Sequence, residues 1–169
     1  MRNSSTSHKA LFAVILFALP ARALDPRRPL DEFFHDQWGI EQGFSFGTVY
    51  AIAQTNDGYL WIGTDQGLVR FDGKGFRILD KKEPALPSGR VLGLIADSEN
   101  NLWIRLATEG LYRYRNGAVA DMLAGRSDRQ IAMMYRRSDG TPIFQSIRST
   151  SLVYERGVIR AMPLTARTV

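Results

Sequence analysis

Three side chains in this sequence could contact a ligand: two tryptophans and one arginine. Trp61 and Trp103 lie 42 residues apart, each within a short apolar run, and Arg105 follows in the second run. An indole face could stack on a sugar, but recurrence at one spacing favours packing of a large aromatic side chain between repeated units. We predict Trp61, Trp103 and Arg105 as candidate ligand-binding residues, with packing as the alternative for both tryptophans.

Arg105 stands within an apolar run at the place where the first run has Gly63. A charge at such a position must reach water or a partner. If it faces a central channel, its forked donors could receive a carboxylate or sulfate group of a ligand. The alternatives are a surface arginine that extends to solvent and an ion pair with Glu99 or Glu109.

The residues that could support catalysis are few. The chain contains no Cys, and its two histidines are His8 and His35. A nucleophilic triad therefore has no support from the inventory of Cys and His residues. Asp-Gly pairs such as Asp57-Gly58 are typical of turns rather than of cation sites. We therefore predict no catalytic residue, no metal and no cofactor.

The segments that carry these side chains are copies of one another. The first copy covers residues 49–64 and continues at 67–73, and the second covers 91–104 and continues at 110–117. A degraded third copy covers residues 131–144. A repeat of about 40 residues, made of short apolar runs and Gly/Asn/Asp turns, indicates β-propeller blades or a solenoid.

The first copy predicts four strands in succession, over residues 49–54, 59–64, 68–71 and 76–79. Asn56-Asp57-Gly58 is predicted to supply the positive-φ residues of the first hairpin turn. The strands are apolar on both faces, and such a sheet needs a neighbour on each side. Propeller blades meet that requirement because each lies between two others.

The third copy is the least regular. Its Ile143 stands where the first copy has Trp61, and Asp139-Gly140 falls on the first hairpin turn. Residues 152–157 can be set on the third strand of the repeat in either of two registers, and the pattern does not choose between them. The blade is therefore predicted to exist, with its second half left open.

These patterns predict an all-β fold of propeller blades with four antiparallel strands each, about three blades being present. Propellers close with typically four to eight blades, so we expect an incomplete propeller and a fragment or truncated product. The predicted divisions are a signal peptide over 1–23, an N-terminal strand and lead-in over 24–48, blade 1 over 49–84, blade 2 over 85–124 and a degraded blade 3 over 125–169.

The N-terminus has the three regions of a secretory signal. Lys9 precedes an apolar run over residues 10–19, and the small-x-small triplet Ala21-Arg22-Ala23 follows. The run is shorter than the roughly 20 residues that span a bilayer, so we predict export with cleavage after Ala23. A buried N-terminal helix and a single membrane anchor are the alternatives.

The charge of the chain depends on that cleavage. Loss of residues 1–23 removes Arg2, Lys9 and Arg22 but no carboxylate, so the net charge falls from +5 to +2. The remaining basic residues are dispersed along the chain, which is typical of a solvated surface rather than of a phosphate-binding stripe. We predict no nucleic-acid partner.

The first copy closely resembles the two-component regulator propeller repeat. The resemblance rests on residues 56–64, Asn-Asp-Gly-Tyr-Leu-Trp-Ile-Gly-Thr, on residues 67–73, Gly-Leu-Val-Arg-Phe-Asp-Gly, and on His35-Asp36-Gln37-Trp38, which is similar to the start of family members. In that family such blades form the extracytoplasmic region of bacterial receptors. An all-β domain, a transmembrane helix and a cytoplasmic histidine kinase or diguanylate cyclase follow.

The resemblance implies an exported, periplasmic ligand-sensing module that takes part in signal transduction and phosphorelay, tethered to the membrane in a full-length receptor. Its expected partners are a small molecule or oligosaccharide, further blades and an output domain, in which any kinase or cyclase activity would reside. In the second copy the Gly63-Thr64 pair is lost and one residue is inserted. The alternatives are an exported propeller enzyme, such as an antibiotic lyase with a blade-borne His, and a nonfunctional remnant.

Overall fold

A computed structural model describes residues 36–79 and 89–162. Every described strand belongs to the unit Trp38–Val169. The predicted signal peptide lies outside the described residues, as does most of the predicted N-terminal strand. Within the described ranges, no helix has the length and hydropathy that a membrane crossing requires.

Blade 1 is a four-stranded antiparallel meander in which each strand pairs with the next. Its strands are β1 at Val49–Gln54, β2 at Leu60–Thr64, β3 at Gly67–Phe71 and β4 at Phe76–Leu79. A short 3-10 helix, Ile40–Gln42, precedes the blade. The four predicted strands are all present, and their ends agree with the prediction to within one residue.

Blades 2 and 3 repeat this topology. Blade 2 contains β5 at Val91–Ala96, β6 at Leu102–Leu106, β7 at Leu111–Arg115 and β8 at Ala118–Asp121. Blade 3 contains β9 at Ile131–Arg136, β10 at Pro142–Ser146, β11 at Ser151–Glu155 and β12 at Val158–Ala161. The predicted fold class is confirmed: the described region consists of three four-stranded propeller blades.

The first strands of the blades lie next to one another and are called the inner strands below. Strand β5 contacts both β1 and β9. The pairing of each inner strand shifts register near its start, at Tyr50 in β1, at Leu92 in β5 and at Ala132 in β9. A bulge bends a strand and increases its twist, so its recurrence at one repeat position is a built feature of the blade.

The hairpin between the first two strands of blade 1 corrects one detail of the prediction. Only Gly58 has a positive φ, of 88°, whereas the sequence predicted positive φ for Asn56 and Asp57 as well. The amide of Gly58 donates to the carbonyl of Thr55, and the amide of Thr55 donates to that of Tyr59. This pattern is a turn followed by one left-handed residue, and it requires a single positive φ.

Blade 3 has a definite register in its second half. Ile143 pairs with Val153, just as Trp61 pairs with Arg70 in blade 1. Val153 therefore occupies the repeat position of Arg70, which decides between the two registers that the sequence left open. Asp139-Gly140 forms the hairpin turn as predicted, with Gly140 at a φ of 89°.

The hydrophobic core consists of two clusters, one at each blade boundary. The first joins blades 1 and 2 and contains Trp61, Leu68, Val91, Leu94, Leu102, Ile104, Leu106 and Tyr112. The second joins blades 2 and 3 and contains Trp103, Leu111, Leu123, Ile131, Phe144, Leu152 and Tyr154. Each boundary thus excludes water from the facing sides of two sheets, and burial of this apolar area holds the blades together.

The other face of blade 1 carries an aromatic group from the lead-in. The ring of Trp38 lies 4.8 Å from the ring of Phe71 and 5.5 Å from that of Phe76. An apolar pocket of about 250 Å³ adjoins these rings, and Ile52 and Ile62 contribute to its walls. Trp38 remains 40% exposed, so it covers this face only in part.

Candidate functional site

Trp61 lies at the boundary between blades 1 and 2. Its side chain is 1% exposed, and its ring centroid lies 4.8 Å from that of Tyr114 in blade 2. The indole Nε1–H donates to the Thr55 hydroxyl over 2.8 Å, so the polar edge of the ring is satisfied inside blade 1. The geometry is that of a packing residue.

Trp103 repeats this arrangement at the boundary between blades 2 and 3. It is fully buried, and its ring lies 4.8 Å from that of Phe144 and 4.7 Å from that of Tyr154. Its Nε1–H donates to Asp97 over 2.8 Å. Both tryptophans adopt the packing alternative, and neither offers an exposed face for stacking. A role for either in ligand binding stays a prediction that this geometry does not favour.

Asp97 is the hydrogen-bond acceptor of the Trp103 indole, and the sequence analysis did not identify it. Its carboxylate is almost completely buried, and it accepts hydrogen bonds from the amides of Glu99 and Asn101, from the Asn101 side chain and from Trp103. A buried carboxylate is tolerated when its oxygens are satisfied in this way. Asp97 therefore fixes both the hairpin turn and the indole that follows it.

The signal that could have revealed this partner is a spacing of six residues. Thr55 precedes Trp61 by six positions, as Asp97 precedes Trp103. In blade 3 the corresponding residues are Arg137 and Ile143, so the indole and its acceptor are lost together. An isoleucine has no donor to satisfy, and an acceptor at that position is no longer needed.

Arg105 is half-buried between blades 2 and 3 and lies in strand β6. Its guanidinium donates to the carbonyls of Ile131 and Leu92, over 3.4 Å in each case, and burial lowers its pKa. The alternative of an ion pair with Glu99 or Glu109 is not adopted, since those carboxylates pair with Arg115 and Arg129 respectively. The guanidinium is instead satisfied by backbone carbonyls of two inner strands. A ligand role for Arg105 stays a prediction.

The residue at the repeat position of Arg105 differs between the two blade boundaries. At the equivalent position in blade 1, a Cβ atom on Gly63 would lie 2.7 Å from the Val91 side chain and 3.0 Å from the Val91 carbonyl. Gly63 thus allows close approach of blade 2. Contact between inner strands is accordingly more extensive for β1 with β5 than for β5 with β9, where Arg105 intervenes.

A polar cleft lies near Arg105 at the boundary between blades 2 and 3. Its volume is about 170 Å³, and three segments line it: the β6–β7 loop, the β8–β9 connection and the β10–β11 turn. The lining residues are Glu109, Ser127, Asp128, Arg129, Gln130, Ser146, Ile147 and Arg148. Gln130 directly precedes Ile131, whose carbonyl contacts Arg105, so Arg105 and the cleft lie at the same end of the blades.

The walls of the polar cleft are held by ion pairs. Arg129 donates to Asp121 over 2.7 Å and to the Leu123 carbonyl over 2.8 Å, and Arg126 grips Asp128 by two hydrogen bonds of 2.8 and 2.9 Å. The hydrogen bond from Arg126 lowers the pKa of the Asp128 carboxyl. Bidentate pairs of this kind fix side-chain orientation as well as charge.

The sequence did not identify the cleft as a site, although it contained one signal. The residue inserted in the second copy lengthens the β6–β7 loop that carries Glu109. The other walls come from a connection and a turn that are distant in sequence, and only the packing of blade 3 against blade 2 brings them together. Within the described ranges, no group of His, Asp and Glu side chains is arranged to hold a metal ion.

The described blades define the class of protein as a β-propeller. Residues 43–66 match the family model described as two component regulator propeller. The chain therefore carries this repeat, and the predicted resemblance is confirmed. A comparison with curated proteins gave no significant match.

Solved structures with the same fold include two extracellular domains of hybrid two component systems from B. thetaiotaomicron. The first has a TM-score of 0.60 and 19% identity over 74% of this chain, and the second has a TM-score of 0.54 and 19% identity over 67% of it. This chain spans only 19% and 16% of their respective lengths. Virginiamycin B lyase from Staphylococcus aureus is also similar, with a TM-score of 0.53 and 17% identity over 72% of this chain and 43% of the lyase.

Proposed function

We propose that this chain is an extracytoplasmic ligand-sensing propeller module of a bacterial signal-transduction receptor, of the two-component sensor kinase or diguanylate cyclase type. The observation that carries the proposal is the match of residues 43–66 to the two component regulator propeller, set in blades that repeat its hydrogen-bonding plan. The module itself performs no catalysis. Any kinase or cyclase activity belongs to an output domain of the receptor.

Export is part of the proposal. It is supported by the secretory pattern of residues 1–23 and by the extracellular origin of two structural neighbours. In the full receptor, the module would lie in the periplasm, tethered to the membrane and joined to further blades. Its ligand would be a small molecule or an oligosaccharide rather than a nucleic acid.

A sensor needs a binding site that links parts able to move relative to one another. The polar cleft is a candidate for such a site because its walls come from blade 2 and from blade 3. A ligand that contacted both walls would favour one spacing of the two blades over others. Such differential binding is the means by which a ligand shifts a conformational equilibrium.

Export can be tested with the full chain produced in a Gram-negative host. We expect the protein in the periplasmic fraction, with Leu24 as its first residue by mass spectrometry. A chain lacking residues 1–23 is the control and should stay in the cytoplasm. Recovery of cytoplasmic protein that retains Met1 would contradict the proposal.

Sensing can be tested by thermal unfolding of the purified exported chain with a panel of small molecules and oligosaccharides. A ligand that binds only the folded state raises the midpoint temperature as its concentration exceeds Kd. We expect at least one chemical class to do so in a saturable manner. Failure of every class to change the midpoint would count against a sensory role.

A second candidate function is that of an exported propeller enzyme. The structural similarity to virginiamycin B lyase favours it, since that enzyme shares the fold. Incubation of the chain with virginiamycin B, followed by mass spectrometry, distinguishes the two. We expect the antibiotic to remain intact, because the described blades contain no histidine that could transfer a proton. Its cleavage would replace the sensor proposal with the enzyme.

A further inference from the structure

The polar cleft has a chemical character that limits what it can bind. Among the described residues that line it, Ile147 alone is apolar, and both acidic and basic side chains face the cleft. A site with so little apolar surface gains almost nothing from a hydrophobic ligand. A ligand must instead supply charges or hydrogen-bonding groups that match those of the walls.

Two of the four charges in the lining are already committed within the chain. Asp128 accepts two hydrogen bonds from Arg126, and Arg129 donates hydrogen bonds to Asp121 and the Leu123 carbonyl. These groups shape the walls and have little capacity left for a strong ion pair. They give the cleft the fixed walls that a preorganised binding site needs.

The other two charges, Glu109 and Arg148, are less tightly held. The Glu109 carboxylate is 59% exposed and lies 3.6 Å from Arg129, too far for a hydrogen bond. Among the described residues, the Arg148 guanidinium has no hydrogen bond and no ion pair, although its positive charge contributes to the lowered pKa of the nearby Asp128. Glu109 belongs to the β6–β7 loop of blade 2 and Arg148 to the β10–β11 turn of blade 3, so these two charges of opposite sign lie on different blades.

We propose that the polar cleft binds a small zwitterion of the amino-acid class. Glu109 receives its ammonium group, and Arg148 receives its carboxylate through two parallel hydrogen bonds. The small volume and polar lining favour a ligand with a short polar side chain. This inference rests on the proposed sensory function and specifies its ligand, and the bound zwitterion would join blade 2 to blade 3.

The test is a titration of the uniformly ¹⁵N-labelled full chain with L-serine, followed by NMR. We expect saturable shift changes confined to the amides of Glu109 and of residues 127–130 and 146–148. Glu109→Gln and Arg148→Gln should each weaken binding about tenfold, because each leaves one ligand charge without its partner. Unchanged signals from amides in blade 1 verify that the variants are folded.

The matched control is Glu99→Gln. Glu99 is 58% exposed and lies 3.6 Å from Arg115, which nearly reproduces the exposure and ion-pair distance of Glu109 outside the cleft. This control should leave L-serine binding unchanged. The absence of shifts at the cleft amides, equal binding by glucose or acetate, or equal effects of Glu99→Gln and Glu109→Gln would each overturn the zwitterion proposal.

The result also separates this inference from the proposed function. If another ligand class raises the unfolding temperature and L-serine leaves the cleft amides unchanged, the cleft assignment is wrong and the sensor proposal stands. If L-serine binds with the expected variant effects but the chain keeps Met1 in the cytoplasm, the cleft assignment stands and the exported sensor is wrong.

Discussion

At the boundary between blades 1 and 2, Trp61 donates to a threonine hydroxyl, and Gly63 allows the inner strands to approach. At the boundary between blades 2 and 3, Trp103 donates to a buried carboxylate, and Arg105 stands between the strands. The aromatic contact is the same at both, with a tyrosine ring 4.7 to 4.8 Å away. The comparison indicates that the buried indole stabilises the contact between two blades, whereas the residues around it determine how closely the inner strands approach. The polar cleft lies at the boundary that contains Arg105.

The largest effect is expected from Trp103→Ala. Removal of this buried ring creates a cavity and takes one donor from Asp97, so the free energy of unfolding should fall by about 4 kcal/mol. Trp61→Ala should cost less, because it leaves a hydroxyl rather than a buried carboxylate short of a donor. Urea unfolding of the two variants measures the difference, and a greater loss for Trp61→Ala would break the comparison.

The next effect concerns the acceptors of the two indoles. Asp97→Ala leaves the donors of Trp103 and Asn101 buried without a partner, and we expect a loss of about 2.5 kcal/mol. Thr55→Ala affects one indole donor and should cost about 1 kcal/mol. Asp97→Asn keeps one acceptor oxygen and should fall between them. Chemical denaturation of the three variants tests this order, and equal losses for Thr55→Ala and Asp97→Ala would contradict it.

A smaller effect is expected from Gly63→Ala. The added methyl group would meet both the side chain and the backbone of Val91, and we expect a loss of about 2 kcal/mol as blade 2 is displaced. Gly75→Ala is the control, since a Cβ there has no neighbour within 4 Å. Thermal unfolding distinguishes the two. Equal stability of both variants would mean that Gly63 does not set the spacing.

The smallest effect concerns a wall of the cleft and depends on pH. The hydrogen bond from Arg126 lowers the pKa of Asp128 below its ordinary value of 3.8, so its stabilising effect is present above that value. It is lost as the pH falls through the lowered pKa of the folded state. Asp128→Asn should therefore reduce stability by about 0.5 kcal/mol at neutral pH and by nothing measurable near pH 2. A difference that persists at low pH would contradict the ion-pair explanation.

The blade structure could be predicted from sequence where turn residues mark the strand ends. Asp57-Gly58 separates β1 from β2, and the alternation of apolar residues on both sides then fixes four strands. Blade 3 has no tryptophan to align its second half, so the register of Val153 emerges only from pairing with Ile143. Local pattern determines strands, whereas register depends on the facing strand.

The candidate site could be predicted only in part. The sequence identified Arg105 as unusual because it replaces a glycine. Its partners are the backbone carbonyls of Leu92 and Ile131, and a backbone carbonyl cannot be recognised from the sequence because every residue has one. The cleft was missed because Glu109 and Arg148, which line it, come from loops of different blades. Their proximity follows from the packing of the second core cluster, which is a tertiary property.

The central claim is that each tryptophan holds its blade to the next, and a double-mutant cycle on Trp103 and Tyr154 tests it most directly. We expect the two alanine substitutions to be coupled by about 1 kcal/mol in the free energy of unfolding, the value typical of aromatic pairs in contact. Trp61 and Tyr154, which belong to different boundaries, should be additive within about 0.3 kcal/mol. Additivity of Trp103 and Tyr154 would contradict the claim.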